Sequence, residues 1–175
     1  MKKTGITLFL IAIIMVIIAV GTNTTSTNNE YLRIHIRANS NSEYDQSIKM
    51  DIKDVVVNYL TPLVAECDSK SKAISMLNNE QKNLEKVIDN ELKLRGYSYK
   101  SNVKIANEKF PVRVYENVTL GEGFYDAVIV ELGKAEGDNW WCVVYPPLCF
   151  TSGENGIEYK SKIMEIIEKF FKNKQ

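Results

Sequence analysis

The side chains best suited to catalysis or metal binding are few in this chain of 175 residues: one histidine and three cysteines. His35 stands between Arg33 and Arg37. Cys142 and Cys149 fall within Trp140 to Phe150, the run Trp-Trp-Cys-Val-Val-Tyr-Pro-Pro-Leu-Cys-Phe, and Cys67 stands apart. A Cys142 thiolate served by His35 would be a nucleophile with its base. No serine, aspartate or oxyanion-hole motif accompanies them at a recognisable spacing, and a Cys/His pair without geometry signifies little. A histidine hydrogen-bonded on a sheet face, its pKa lowered by the flanking arginines, accounts for the same residues. Metal binding fails on ligand count, because a single His and cysteines at 67, 142 and 149 do not make a set of paired zinc ligands. Leu120-Gly-Glu-Gly123 precedes a strand pattern, whereas a phosphate-cradling loop follows a strand and opens a helix, so it reads as a hairpin turn. No metal and no cofactor are expected, and the chain is not expected to be an enzyme.

Other polar groups have structural readings. Six residues containing Pro146-Pro147 separate Cys142 from Cys149, a corner that permits a bridge without demanding one. Cys67 reads as a buried small hydrophobe. Asp45, Asp51 and Asp54 are spaced like a solvated helix face. The side chains of Asn39-Ser-Asn-Ser42 can bond nearby backbone groups and cap a helix, and a partner-binding loop would use the same residues. Both readings stand.

The elements that must position these residues emerge from periodicity. Tyr31 to Ala38 alternates, with Leu32, Ile34 and Ile36 on one face and Arg33, His35 and Arg37 on the other, a half-buried strand. Ser40 with Glu43, or Ser42 with Asp45, can cap the first helix. Ile48, Ile52, Val55, Val56, Tyr59, Leu60 and Leu63 recur at helical spacing up to Pro62, which marks an end or a kink. A second helix begins near Asp68 or Ser69, carries Ile74, Leu77, Leu84, Ile88 and Leu92, and stops at Gly96. The period then falls to two, and Tyr97 to Ile105, Phe110 to Tyr115, Gly123 to Leu132 and Trp140 to Tyr145 read as strands, the last ended by prolines that cannot donate to a ladder. Ile157 to Phe171 is an amphipathic C-terminal helix. This order predicts an α+β fold, a mainly antiparallel sheet of about four to five strands with helices on one face, after an N-terminal signal or anchor segment.

That segment comprises residues 1–21. Lys2 and Lys3 precede an uncharged run of sixteen residues, Gly5 to Val20, and Ala19-Val-Gly21 supplies the small residues of a cleavage site after Gly21. The competing reading is an uncleaved anchor, for which the run is slightly short. Either places the remainder of the chain outside the cytoplasm. Residues 22–30 begin with a polar Thr/Asn/Ser tract that has nothing to bury and reads as a disordered spacer. Residues 31–175 are expected to form one domain. The whole chain carries 22 basic and 22 acidic residues. Loss of Lys2 and Lys3 leaves a net charge of −2, no footprint for nucleic acid or an anionic membrane surface.

Two strings bracket this domain. Asp138-Asn-Trp-Trp-Cys-Val-Val-Tyr-Pro-Pro-Leu-Cys-Phe150 resembles the hallmark of the stage II sporulation protein R family of endospore-forming bacteria. Arg33-Ile-His-Ile-Arg-Ala-Asn-Ser-Asn-Ser-Glu-Tyr-Asp-Gln46 is similar to that family's opening strand and Ala-Asn-Ser-x-Ser turn with its subsequent Asp-Gln. Arg37, in place of an apolar residue, and Asn41, in place of a common Asp, depart from the pattern. The resemblance implies a protein exported from the forespore into the space between the forespore and mother-cell membranes. There it would activate a membrane-embedded aspartic protease that cleaves a sigma-factor precursor. Membrane contact is expected only through the N-terminal segment, if that is retained. The expected contact surface is the exposed sheet face and its loops: Arg33, His35, Arg37, Asn39 and Ser40 with Asp45 and Gln46 at one edge. Trp140, Trp141, Pro146, Pro147 and Phe150 form the other, because aromatic and Arg side chains dominate many interfaces. Two alternatives are a protease-inhibitor-like module with a protruding Trp140/Trp141 loop, and an envelope enzyme using Cys142.

Overall fold

A computed structural model describes residues 30–115, 118–150 and 154–174, with side chains of the last stretch from 159 onward. The expected signal or anchor segment, its cleavage after Gly21 and spacer residues 22–29 lie outside the described residues. Among the described residues, three helices and six strands run in the order β1 (Leu32–Arg37), α1 (Glu43–Val64), α2 (Lys70–Leu94), β2 (Ser101–Phe110), β3 (Arg113–Tyr115), β4 (Val118–Leu120), β5 (Gly123–Leu132), β6 (Asn139–Tyr145) and α3 (Glu154–Lys172).

Helix starts and stops obey local chemistry. Ser42 caps α1 by accepting from the Asp45 amide at 3.1 Å, and Glu43 and Asp45 put negative charge in its first turn. Ser69 caps α2 by accepting from the Lys72 amide at 3.4 Å. Beyond that helix the chain turns at Gly96, whose φ of 83° a side chain would resist. Pro62 lies inside the last turn of α1, which runs on to Val64, so it does not itself stop the helix.

The main sheet runs β2-β5-β1-β6, and β3 and β4 form a separate two-stranded sheet. β1 is parallel to β5, while β1–β6 and β2–β5 are antiparallel, giving the expected α+β fold with a mixed, mainly antiparallel sheet. One face of β1, Leu32, Ile34 and Ile36, packs with Val128, Val130, Val144 and the stripe Ile48, Ile52, Val56, Leu60, Leu84, Ile88 of α1 and α2. α3 adds Ile163, fully buried, to this core.

The sequence-based boundaries shift in the middle of the chain. Tyr97 to Lys100 precedes the second strand, which starts at Ser101 and runs on to Phe110. Pro111 cannot donate to a ladder, and the chain leaves the sheet there to form the β3–β4 hairpin, whose second strand the periodicity does not reveal.

The second face of β1 is not the open polar face that its alternation predicts. Arg33 is fully buried and His35 is 4% exposed, so neither lies on an open polar face. A second core of Tyr31, Phe110, Leu120, Tyr125, Ile129 and Val143 covers that side. β1 is a central strand buried on both faces, and its alternation separates two cores.

Candidate functional site

The two diagnostic strings are neighbours. β1 pairs with β6, setting Ile36 against Trp140, His35 against Trp141 and Arg33 against Val143. Trp140 packs toward the helices and Trp141 toward the second core. His35 lies 5.2 Å from the Trp141 ring, and the Arg113 guanidinium sits 4.1 Å above that indole. Both tryptophans are half-buried in a strand, so the protruding loop of an inhibitor-like module is absent from these described residues.

The end of the second string belongs to the fold rather than the surface. Pro146 and Pro147 are buried, Phe150 is 1% exposed, and the Tyr145–Pro146 peptide is cis. Prolines pack well where no backbone donor is needed, and the Tyr145 hydroxyl donates to the Asp68 carbonyl at 2.7 Å, tying this corner to the α1–α2 turn. Cys142 and Cys149 are joined in a disulfide with Cα atoms 6.2 Å apart, a separation such bridges favour. A bridged Cys142 has no thiol to offer as a nucleophile. Cys67 is free but buried, which pushes its thiol above the usual range and makes it a poor one. It lines a cleft of about 360 Å³ between the end of α1 and α3.

His35 Nδ1 lies 3.1 Å from Glu108 Oε2. Burial lowers its pKa to about 4, Arg37 and Arg33 push the same way, and the Asn139 side chain and Glu131 oppose them. The ring is therefore neutral near pH 7, with Nδ1 donating to the carboxylate. Arg37, partly exposed, bridges Glu108 and Glu131, and Lys104 also reaches Glu131 at 2.7 Å. Among the described residues no group of three or more His, Cys, Asp or Glu side chains is arranged to hold a metal.

Asn39, Ser40, Asp45 and Gln46 converge where the parallel strands β1 and β5 end, the side of a sheet where loops commonly form binding sites. Asp45 is 5% exposed, which corrects its reading as a solvated helix residue. Its carboxylate accepts from Asn39 Nδ2 at 2.8 Å, Ser40 Oγ at 2.5 Å and the Tyr99 hydroxyl at 2.7 Å. Burial opposes the charge, but the hydrogen bonds from Ser40, Tyr99, Asn39 and Ser42 win and hold its pKa below the usual range. The β5–β6 loop closes over this network. Lys134 and Asp138 amides donate to the Asn39 and Asn41 side chains at 2.9 and 2.6 Å. Gln46 Nε2 donates to the Ser40 carbonyl, and the buried Lys49 ammonium to Gln46 Oε1 and the Asp138 carbonyl. A side chain at Gly133 or Gly137 would collide with Asn39 or Ser40. Capping thus accounts for the motif, and it also makes a rigid rim.

On that rim stands a platform absent from the sequence-based contact surface. Tyr44, 57% exposed, stacks on Tyr97 with centroids 4.1 Å apart, and Tyr97 meets Tyr99 edge-on. The Tyr97 hydroxyl donates to the Tyr44 carbonyl at 2.8 Å, and Leu94, 81% exposed, projects nearby in sequence at the end of α2. The available signal is Tyr97 and Tyr99 alternating straight after a helix-ending Gly96, with Tyr44 inside the first diagnostic string. Of the expected contact residues, Arg37, Asn39, Ser40, Gln46, Trp140 and Trp141 keep part of their surface, whereas Arg33, His35, Asp45, Pro146, Pro147 and Phe150 do not.

Comparison with known proteins gives one consistent result. The family described as Stage II sporulation protein R (spore_II_R) matches residues 28–155. A Bacillus subtilis (strain 168) protein named Stage II sporulation protein R is 31% identical over 131 residues, which is 75% of this chain and 58% of that protein. The chain thus spans little more than half the length of this relative. No solved structure matches.

Proposed function

Because the chain belongs to the stage II sporulation protein R family, we propose that it is an exported sporulation signal. In this reading it works without chemistry of its own, by binding a membrane-embedded aspartic protease of the mother cell, which then cleaves a sigma-factor precursor. The observation that carries the reading is the extent of the match, residues 28–155, which takes in β1 to β6 and both diagnostic strings. Binding activates only if it favours the active arrangement of the protease over the inactive one, since a ligand shifts an equilibrium by its differential affinity for the two states. A contact surface that does not itself rearrange suits this task, because little of its binding energy goes into ordering side chains. The rim formed by Asn39, Ser40 and Gln46, fixed by the Asp45 network, with the Tyr44–Tyr97 stack on it, has that character.

Co-purification of the exported domain with the protease tests the reading, combined with precursor cleavage in cells expressing all three proteins. Tyr44→Ala, at an exposed position, is expected to weaken co-purification while the domain keeps its melting temperature. Absence of any complex with a folded, exported wild-type domain contradicts the proposal.

A further inference from the structure

Arg33 heads the largest fully buried side chains of the protein. A guanidinium keeps its charge at any pH at which proteins fold, so a cation has been placed out of water. Its Nη2 donates to the Tyr115 hydroxyl at 2.7 Å, and its carbon lies 4.2 Å from the centre of the Phe110 ring and 4.7 Å from that of Tyr125. Ring faces stabilise a cation, but they do not accept the N–H bonds in the guanidinium plane. Nε and Nη1 of Arg33 have no acceptor, and neither does the buried indole Nε1 of Trp141. The carboxylates of that face, Glu108 and Glu131, are taken by His35, Arg37 and Lys104. Among the described residues Arg33 forms no ion pair. Burying a charge is among the costlier things a fold can do unless its hydrogen bonds are satisfied, and two of these donors are not.

The cover over these donors is a separate piece. β3 and β4 have three residues each and pair only with one another, outside the main sheet. A lone two-stranded hairpin holds weakly in water. It is fastened to the sheet by Tyr115 on Arg33, by Arg113 over Trp141 and by Leu120, which is buried in the second core. Lifting it would take Tyr115 off the guanidinium and Arg113 off the indole together. A planar fork with a second donor beside it matches the oxygens of a carboxylate.

We propose that Arg33, with Trp141 beside it, is the receptor for a carboxylate side chain of the partner protein, uncovered when the β3–β4 hairpin lifts from the sheet. Who the partner is rests on the function proposed above; the receptor chemistry does not.

Two arms test the two parts separately. In the first, the free full domain is titrated with sodium acetate against sodium chloride of equal ionic strength, with the Arg33 Nε–H and Trp141 Nε1–H resonances as readout. Both are expected to shift together and saturate with acetate, and to lose that response in Arg33→Met. Unsaturable shifts identical in the two salts overturn the receptor. In the same sample, amides of β3 and β4 are expected to exchange with solvent at least a hundredfold faster than those of β1 and β5, and equal protection overturns the lifting hairpin.

In the second arm, protease co-purification compares wild type, Arg33→Met and Arg33→Lys. Arg33→Met fills similar space without charge, so its melting temperature is expected to match or exceed wild type while protease affinity drops at least tenfold. Arg33→Lys is expected to recover part of the affinity. Wild-type affinity in a folded Arg33→Met domain overturns the proposal. A wild-type domain that binds acetate but never the protease leaves the receptor standing and removes the assigned partner.

Discussion

On the helix side of the sheet, Leu32, Ile34 and Ile36 meet Ile48, Ile52, Val56 and Leu60, and the packing is aliphatic throughout. On the hairpin side the same strand presents Arg33 and His35 to Phe110, Tyr125 and Trp141, with Arg37, Glu108, Glu131 and Lys104 linked along the rim. Both sides exclude water, yet by different means. The first gains from apolar area removed from solvent, which is indifferent to pH. The second holds charge and hydrogen-bonding groups in place, so its stability depends on protonation and on each polar partner. Alternation along a strand therefore need not mean inside and outside; here it separates an aliphatic core from an aromatic one that holds buried polar groups.

The largest effect expected is on the aliphatic side. Ile34→Ala or Ile36→Ala removes buried methyl groups under two helices and should cost about 2–4 kcal/mol in denaturant unfolding. The loss should be the same at pH 5 and pH 7. A marked pH dependence of that loss would break the contrast between the two cores.

Acid should act on the hairpin side. The His35 pKa, about 4 in the fold, lies below the 6.5 of an unperturbed histidine. Below pH 6.5 the unfolded chain therefore takes up a proton that the folded chain refuses, and stability declines as pH falls toward 4. By pH 5 the loss should reach about 2 kcal/mol. His35→Gln cannot titrate, so its stability should fall less between pH 7 and 5 than that of wild type. Parallel pH curves for the two proteins would show that the histidine is not held neutral.

Smaller changes sharpen the contrast at the rim. Ser42→Ala deletes the cap of α1 and should cost about 1 kcal/mol without moving the Tyr44–Tyr97 stack. Ala135, whose φ of 56° lies in the left-handed region, should accept glycine with a gain of about 0.5 kcal/mol in thermal or denaturant unfolding. Thiol counting under denaturing, non-reducing conditions should find one free thiol, that of Cys67, with Cys142 and Cys149 bridged.

Features set by neighbours in sequence are legible without the fold. Ser42 with Asp45, Ser69, Gly96, the span Gly123 to Leu132 and the helical stripes all stand where local chemistry puts them. The features that escape depend on distant chain. Nothing near Arg33 announces that Phe110, Tyr115 and Tyr125, about eighty or ninety positions away, will cover it. Asp45 has the spacing of a solvated helix face, and only Tyr99 and the Asn39 turn reveal why it is buried. Sequence order says nothing of the β1–β6 pairing, which makes neighbours of two strings expected at opposite edges of the surface. Pro111 carries the local signal for the break after β2, but not for the hairpin beyond it.

Expressing the chain with and without residues 1–29 beside the protease and the sigma-factor precursor decides whether it acts, as proposed, from outside the cell that makes the precursor. Both forms contain β1 to α3 and should accumulate as folded domains. The precursor is expected to be cleaved only when the leader-bearing form is exported, and to stay intact with the leaderless form. Equal cleavage with the leaderless form, or none with a folded and exported domain, would contradict the claim.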